Sequence, residues 1–158
     1  MSLNVRRVVT VHDQSGRAVV KIDEIASNVV SSRPGQSAAV IWSTRSFPVD
    51  NDDEFDGSMR TVSTSESDGT VFRVVHYAPG VAPRLHRTES IDYAVVVSGE
   101  IDMQIDGAEV HLKAGDVLVQ RGTIHNWINR GSEPCVIAFV LVGANPATAG
   151  GRKLHATG

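Results

Sequence analysis

A single cysteine, Cys135, in 158 residues excludes an intramolecular disulfide framework. Its place in the apolar run from Cys135 to Val142 reads as a buried structural thiol. Long hydrophobic runs are missing as well. No stretch approaches the ~18 apolar residues that a membrane-spanning helix needs, and the opening MSLNVRRVVTVHD has no apolar segment long enough for a secretory leader. The default expectation is a cytoplasmic protein without a membrane partner. Charge of one sign is also absent. The 15 basic and 18 acidic residues leave a net charge of −3, and no basic run stands out, so nucleic acid is not an expected partner. Helical periodicity is scarce too. Only Ile22 to Val30 places apolar residues (Ile22, Ile25, Ala26 and Val29) at helical spacing, in a short segment without a clear cap.

What remains reads as strands. The length suits one domain with a real core, and an apolar fraction of 41% fits a globular chain. Val5–Val11 and Arg17–Ile22 flank a turn-rich cluster and predict a hairpin. Ser37–Thr44 predicts a strand carrying Trp42. Residues 48–58 read as an acidic surface loop, with Trp42 and Phe47 beside it as a candidate lid. From Thr70 the pattern tightens, with strands at Val71–Tyr77, Ile91–Val97, Glu100–Ile105, Glu109–Lys113, Val117–Gln120, His125–Asn129 and Cys135–Val142. Asp106-Gly107 is a type I′ hairpin signal. Short strands with turn signals every eight to twelve residues mean an all-β sandwich or barrel. The expected organisation is residues 1–69 as N-terminal strands and loop extending the barrel, 70–142 as its core, and 143–158 as a loosely ordered tail.

Chemistry concentrates in two segments, Gly80 to Gly99 and Gly115 to Asn129. His86 and Asp92 flank an expected turn, and closure of the barrel would bring His125 to them. Imidazoles with a carboxylate are a donor set for Zn, Fe, Ni or Mn. The alternative for His86 and His125 is a pair of buried, hydrogen-bonded core histidines, and for Asp92 an ion pair with Arg84 or Arg87. Glu89 adjoins Thr88 and should face the other way, which leaves it a back-up ligand. His76 reads as a core or cavity residue.

Gly80, His86, Asp92 and Gly99, then Gly122, His125 and Asn129, resemble the two motifs of the cupin superfamily. The chain is similar to small single-domain cupins that share its His-Arg-Thr, Asp-Tyr, Gly-Glu and Gln-Arg-Gly-Thr-x-His elements. The resemblance implies an all-β double-stranded β-helix, or jelly-roll barrel. It implies a divalent metal held by His86, Asp92 and His125, and a homodimer in which the N-terminal strands cover a partner's sheet edge. Two departures matter. Thr88 stands where the motif has its second histidine, and Asp92 where it has glutamate, so a site of three histidines and a glutamate cannot form. Thr88, Trp127 and Asn129 are expected to line the site and to contact a bound cofactor, water or ligand.

The reading that follows is a small metal-binding cupin acting on a small organic molecule, aromatic or polyketide-type, as a dioxygenase, cyclase, dehydratase or isomerase. Its alternatives are a non-catalytic small-ligand-binding cupin and a structural barrel without a working metal site. No particular residue is assigned as catalytic.

Overall fold

The computed structural model describes residues 3–158. Thirteen strands make up nearly all of its regular structure: β1 Arg6–His12, β2 Ala18–Ile25, β3 Val29–Arg33, β4 Gln36–Thr44, β5 Thr70–Tyr77, β6 Ser90–Ser98, β7 Glu100–Ile105, β8 Ala108–Lys113, β9 Val117–Arg121, β10 Asn126–Ile128, β11 Cys135–Gly143, β12 Ala147–Ala149 and β13 Arg152–Leu154. Six of them form the main sheet in the order β3-β4-β5-β11-β6-β9, and β10-β7-β8 form a second sheet.

Alternation explains why these segments pair as they do. Along β11, Cys135, Ile137, Phe139 and Leu141 are buried while the residues between them are partly exposed. Along β6, Ser90, Asp92, Ala94 and Val96 point inward, and Tyr93, Val95 and Val97 point out. A strand that slipped by one residue would reverse both sets, so the buried face sets the register. The core joins these side chains to Ile101, Met103, Leu112 and Trp127 of the second sheet. Trp127 meets Phe139 edge-on across the gap, with ring centroids 5.8 Å apart.

The hairpin of β1 and β2 forms, with a bulge between Val9 and Thr10. Arg7 pins it to the body by donating to Glu24 on β2 and, at 2.8 Å, to Asp56 in the acidic loop. The helix-like spacing over Ile22–Val30 does not produce a helix. Strand β2 runs to Ile25 and β3 begins at Val29, because β2 is committed to its ladder with β1, and the stiff β-branched residues suit a pleat. Among the described residues the one helical element is a 3₁₀ turn at Gly57–Met59. The Asp106-Gly107 turn is also not type I′. Gly107 is left-handed at φ 70°, but no non-glycine residue among those described has positive φ, so the turn follows the type II pattern. The tail carries the β12–β13 hairpin and a bridge from Thr157 to Arg87.

Gly99, between β6 and β7, has φ 74°, and a β-carbon there would lie 2.3 Å from the Pro134 carbonyl oxygen. Both the backbone conformation and the close approach require glycine. Gly99→Ala is expected to destabilise the fold by at least about 2 kcal/mol, a fall in Tm of roughly 4–8 °C for a domain of this size. Differential scanning calorimetry measures it, and an unchanged Tm would contradict this account of the turn.

Candidate functional site

His86 and His125 face each other across an isolated antiparallel bridge. The His86 amide donates to the His125 carbonyl at 3.0 Å, and the His125 amide returns the bond at 2.9 Å. This exchange places the rings with centroids 4.1 Å apart, tilted by 53°. Each Nδ1 lies 3.0 Å from a backbone carbonyl two residues back, Arg84 for His86 and Thr123 for His125. A carbonyl only accepts, so each Nδ1 carries the proton and each Nε2 keeps a bare lone pair. Neither Nε2 has a hydrogen-bond partner among the described residues. Burial, and then the neighbouring His125, push the His86 pKa down to about 4. Burial lowers His125 as well, and the charges of Arg84 and Arg33 add to it. Both rings are therefore neutral at pH 7.

Thr88, Ser90 and Asp92 share the inward face by period two. Ser90 Oγ donates to Asp92 Oδ1 at 2.6 Å, and Thr88 Oγ1 sits 2.7 Å from Ser90 Oγ. With the carboxylate ionised, the hydroxyl protons point from Thr88 to Ser90 to Asp92. Burial raises the Asp92 pKa to about 6 against the pull of that hydrogen bond and of Arg73. The ion pair of Asp92 with Arg84 or Arg87 does not form. Arg84 donates to Thr64 Oγ1 and the Gly158 carbonyl, and Arg87 to the His155 carbonyl.

His86, Thr88, Asp92, His125 and Trp127 all line one cavity of about 440 Å³. Its walls also include Arg33, Arg73, Arg84, Tyr77, Val75, Phe139 and Leu141. The Trp127 ring stands edge-on to His125 at 5.9 Å.

The expected metal triad arrives incomplete. His86 and His125 come together, but no set of three His, Cys, Asp or Glu among the described residues is grouped closely enough to hold an ion. Asp92 shares the cavity and stands apart from the pair. Aspartate is one methylene shorter than glutamate, and Ser90 holds this one along its own strand. The donor chemistry thus fits a divalent metal at two nitrogens and leaves the carboxylate position unfilled. Asn129 is a correction of a different kind. Its amide nitrogen donates to the Tyr77 and Glu133 carbonyls and its oxygen accepts from the Gly131 amide, which commits it to the turn before β11, outside the cavity lining. Glu89 faces outward and binds His155. On β5 it is Arg73, Val75 and Tyr77 that face the cavity, so His76 lies outside its lining. Trp42 and Phe47 are not part of this cavity.

Sequence reasoning missed Ser90, Arg33 and Arg73, and named Arg84 only as a partner for Asp92. Ser90 was legible as the middle of a period-two set from Thr88 to Asp92. Arg73 breaks an apolar face shared with Val71, Val75 and Tyr77, and that single charge was its one signal.

A two-sheet barrel whose cavity is entered by side chains from motif-bearing strands defines the double-stranded β-helix class. The Cupin domain family matches residues 73–142. A cupin-domain-containing oxidoreductase of Aspergillus ruber is 36% identical over 94% of this chain and 77% of its own length. Phomopsin biosynthesis cluster protein C' of Diaporthe leptostromiformis is 37% identical over 94% of this chain and 83% of its own. Among solved structures, KdgF from Halomonas sp. aligns with a TM-score of 0.51 at 17% identity, over 73% of this chain and 88% of that one. The polyketide cyclase RemF from Streptomyces resistomycificus aligns with a TM-score of 0.51 at 16% identity, over 77% and 79%. These two likenesses show the fold. The chain belongs to the cupins, as a small single-domain member. No helix among the described residues is long and apolar enough to cross a membrane.

Proposed function

We propose that this cupin is an enzyme that takes a small organic molecule into its cavity and moves protons on it. The observation that carries this reading is the imidazole pair, with two anchored Nδ1–H groups and two bare, neutral Nε2 atoms at the cavity wall. Nε2 of either ring removes a proton from a C–H or O–H acid, and the carbonyl on Nδ1 steadies the imidazolium that results. Asp92, with a pKa of about 6, returns a proton from another part of the wall. Base and acid in one buried cavity suit cyclisation, dehydration or isomerisation. The relatives support a small metabolite as substrate, because one is named an oxidoreductase and another a biosynthesis cluster protein. An aromatic or polyketide-type skeleton fits walls made of Trp127, Phe139 and Leu141.

The same bare nitrogens favour a second reading, a divalent-metal centre. His86 and His125 would hold a Zn, Fe, Ni or Mn ion, with Asp92 as third ligand only after moving closer to the pair. The ion would supply Lewis acidity, or redox chemistry with oxygen in the case of iron.

One experiment separates the readings. Protein purified without added metal is assayed by inductively coupled plasma mass spectrometry beside His86→Ala, and turnover of a panel of aromatic and polyketide-type substrates is followed before and after chelation. Proton transfer by the pair requires turnover that survives chelation and is lost in the variant. The metal reading requires near-stoichiometric metal in the parent, none in the variant, and turnover lost on chelation. Ligand binding without any turnover would reduce the protein to a binding module.

The homodimer is part of the same proposal. Tyr93, Val95, Val117 and Val119 leave an apolar strip on the outer face of the main sheet, with Val117 73% exposed, and a second copy would cover it.

A further inference from the structure

Five of the nine arginines that do not line the cavity, Arg6, Arg7, Arg45, Arg60 and Arg130, each have a carboxylate within ion-pair distance. Among the described residues, the three that line the cavity pair with no Asp or Glu side chain. Arg33 donates through Nε to the Ala82 carbonyl at 2.7 Å, and its Nη2 is buried without a partner. Arg73 donates through Nη2 to the Ser63 and Thr64 carbonyls at 2.7 and 3.0 Å, and its Nε is buried without a partner. Arg84 reaches Thr64 Oγ1 and the Gly158 carbonyl. Asp92 is the one carboxylate in the lining, and it takes its hydrogen bond from Ser90.

Three positive charges against one carboxylate around a single cavity, in a chain whose net charge is −3, leave the lining with an excess of positive charge. Burial of charge without a counter-charge is unfavourable, and so is each donor left bare. We infer that the cavity binds an organic carboxylate, with its anionic head on the Arg33, Arg73 and Arg84 side and its apolar body against Trp127, Phe139 and Leu141. A planar carboxylate matches the forked donors of guanidinium better than a neutral amide, which brings a donor where acceptors are needed. The cavity volume of about 440 Å³ suits a molecule of one or two fused rings. The head group leaves the body beside His86 and His125, within their reach. This inference rests on the proposed enzymatic reading only in calling the carboxylate a substrate, because the binding itself needs no turnover.

Isothermal titration calorimetry with 2-naphthoate, 2-naphthamide and 2-naphthyl phosphate tests it. Naphthoate is expected to bind at least tenfold more tightly than naphthamide. Arg33→Gln, Arg84→Gln and Arg73→Gln are each expected to weaken naphthoate at least tenfold while changing naphthamide less than threefold. Arg130→Gln removes the same charge from the surface and is expected to leave naphthoate binding unchanged. Arg73 also holds the Ser63–Thr64 segment, so Arg33→Gln and Arg84→Gln carry the test should that variant not fold. Equal affinity for acid and amide, or equal loss in Arg130→Gln, would overturn the inference. Naphthyl phosphate bound tenfold more tightly than naphthoate would overturn the carboxylate assignment in favour of a phosphate. Naphthoate binding that persists in a protein with no turnover would sink the enzymatic reading and leave this one standing.

Discussion

Asp92→Asn is expected to be more stable than the parent by about 3 kcal/mol at pH 7 and no more stable at pH 4. Burial lifts the Asp92 pKa from 3.8 to about 6, and the difference at about 1.4 kcal/mol per unit sets the scale. The sign follows from which state holds the proton. A folded-state pKa above the unfolded value means that the native state binds more protons between the two values. The contribution of Asp92 is therefore fully present below pH 3.8 and is lost as the pH rises through 6. Asparagine keeps an acceptor for the Ser90 hydroxyl and never ionises, so the variant escapes the loss. His86 works the other way. Its pKa falls from 6.5 to about 4, so its contribution is present above pH 6.5 and is lost as the pH falls toward 4. The two groups oppose each other over nearly the same range, and removing Asp92 uncovers the histidine slope. Urea unfolding of metal-free protein at pH 4, 5, 6 and 7 reads this as the difference between variant and parent. Taking the difference cancels salt-bridged acids such as Asp56, which titrate alike in both proteins. A difference that stayed constant with pH would show that Asp92 is not desolvated as the fold requires.

His86→Asn is expected to lower kcat at least 100-fold on any substrate the enzyme turns over, the usual range for loss of a positioned base, with Tm within a few degrees of the parent. Asparagine can donate to the Arg84 carbonyl in place of Nδ1 and has nothing to offer at the position of Nε2. The pair of readouts separates a chemical role from a structural one, since a core histidine would show the loss in Tm. The pH profile carries further information. With the base neutral above about pH 5 and Asp92 acting as the acid, kcat/KM should fall as the pH rises through about 6, tenfold per unit. A rate that climbed across pH 6 instead would remove Asp92 from the acid role.

The barrel was legible because a strand's chemistry repeats every two residues. The β6 and β11 faces, the Gly99 turn and the inward set of Thr88 and Asp92 could be read without coordinates, since each depends on local alternation or on one backbone conformation. The Ile22–Val30 segment misled because apolar spacing over nine residues suits a helix and a strand pair equally, and its neighbour β1 decided between them. Asn129 misled for a related reason. Alternation put it on the His125 face, but its amide donates to the carbonyls of Tyr77 and Glu133 in a turn, and it does not join His125 and Trp127 in the cavity lining.

The sequence by itself determined the cupin fold, the strand pattern and the candidacy of His86, Asp92 and His125, because those rest on periodicity, turn residues and motif spacing. Tertiary structure alone decided that the histidines meet as a pair while Asp92 stands apart with Ser90. It alone gathered Arg33, Arg73 and Arg84 from distant segments around one cavity that holds a single carboxylate, Asp92. Distances between strands and the loss of solvent around a charge are properties of the closed barrel, and no local pattern along the chain encodes them.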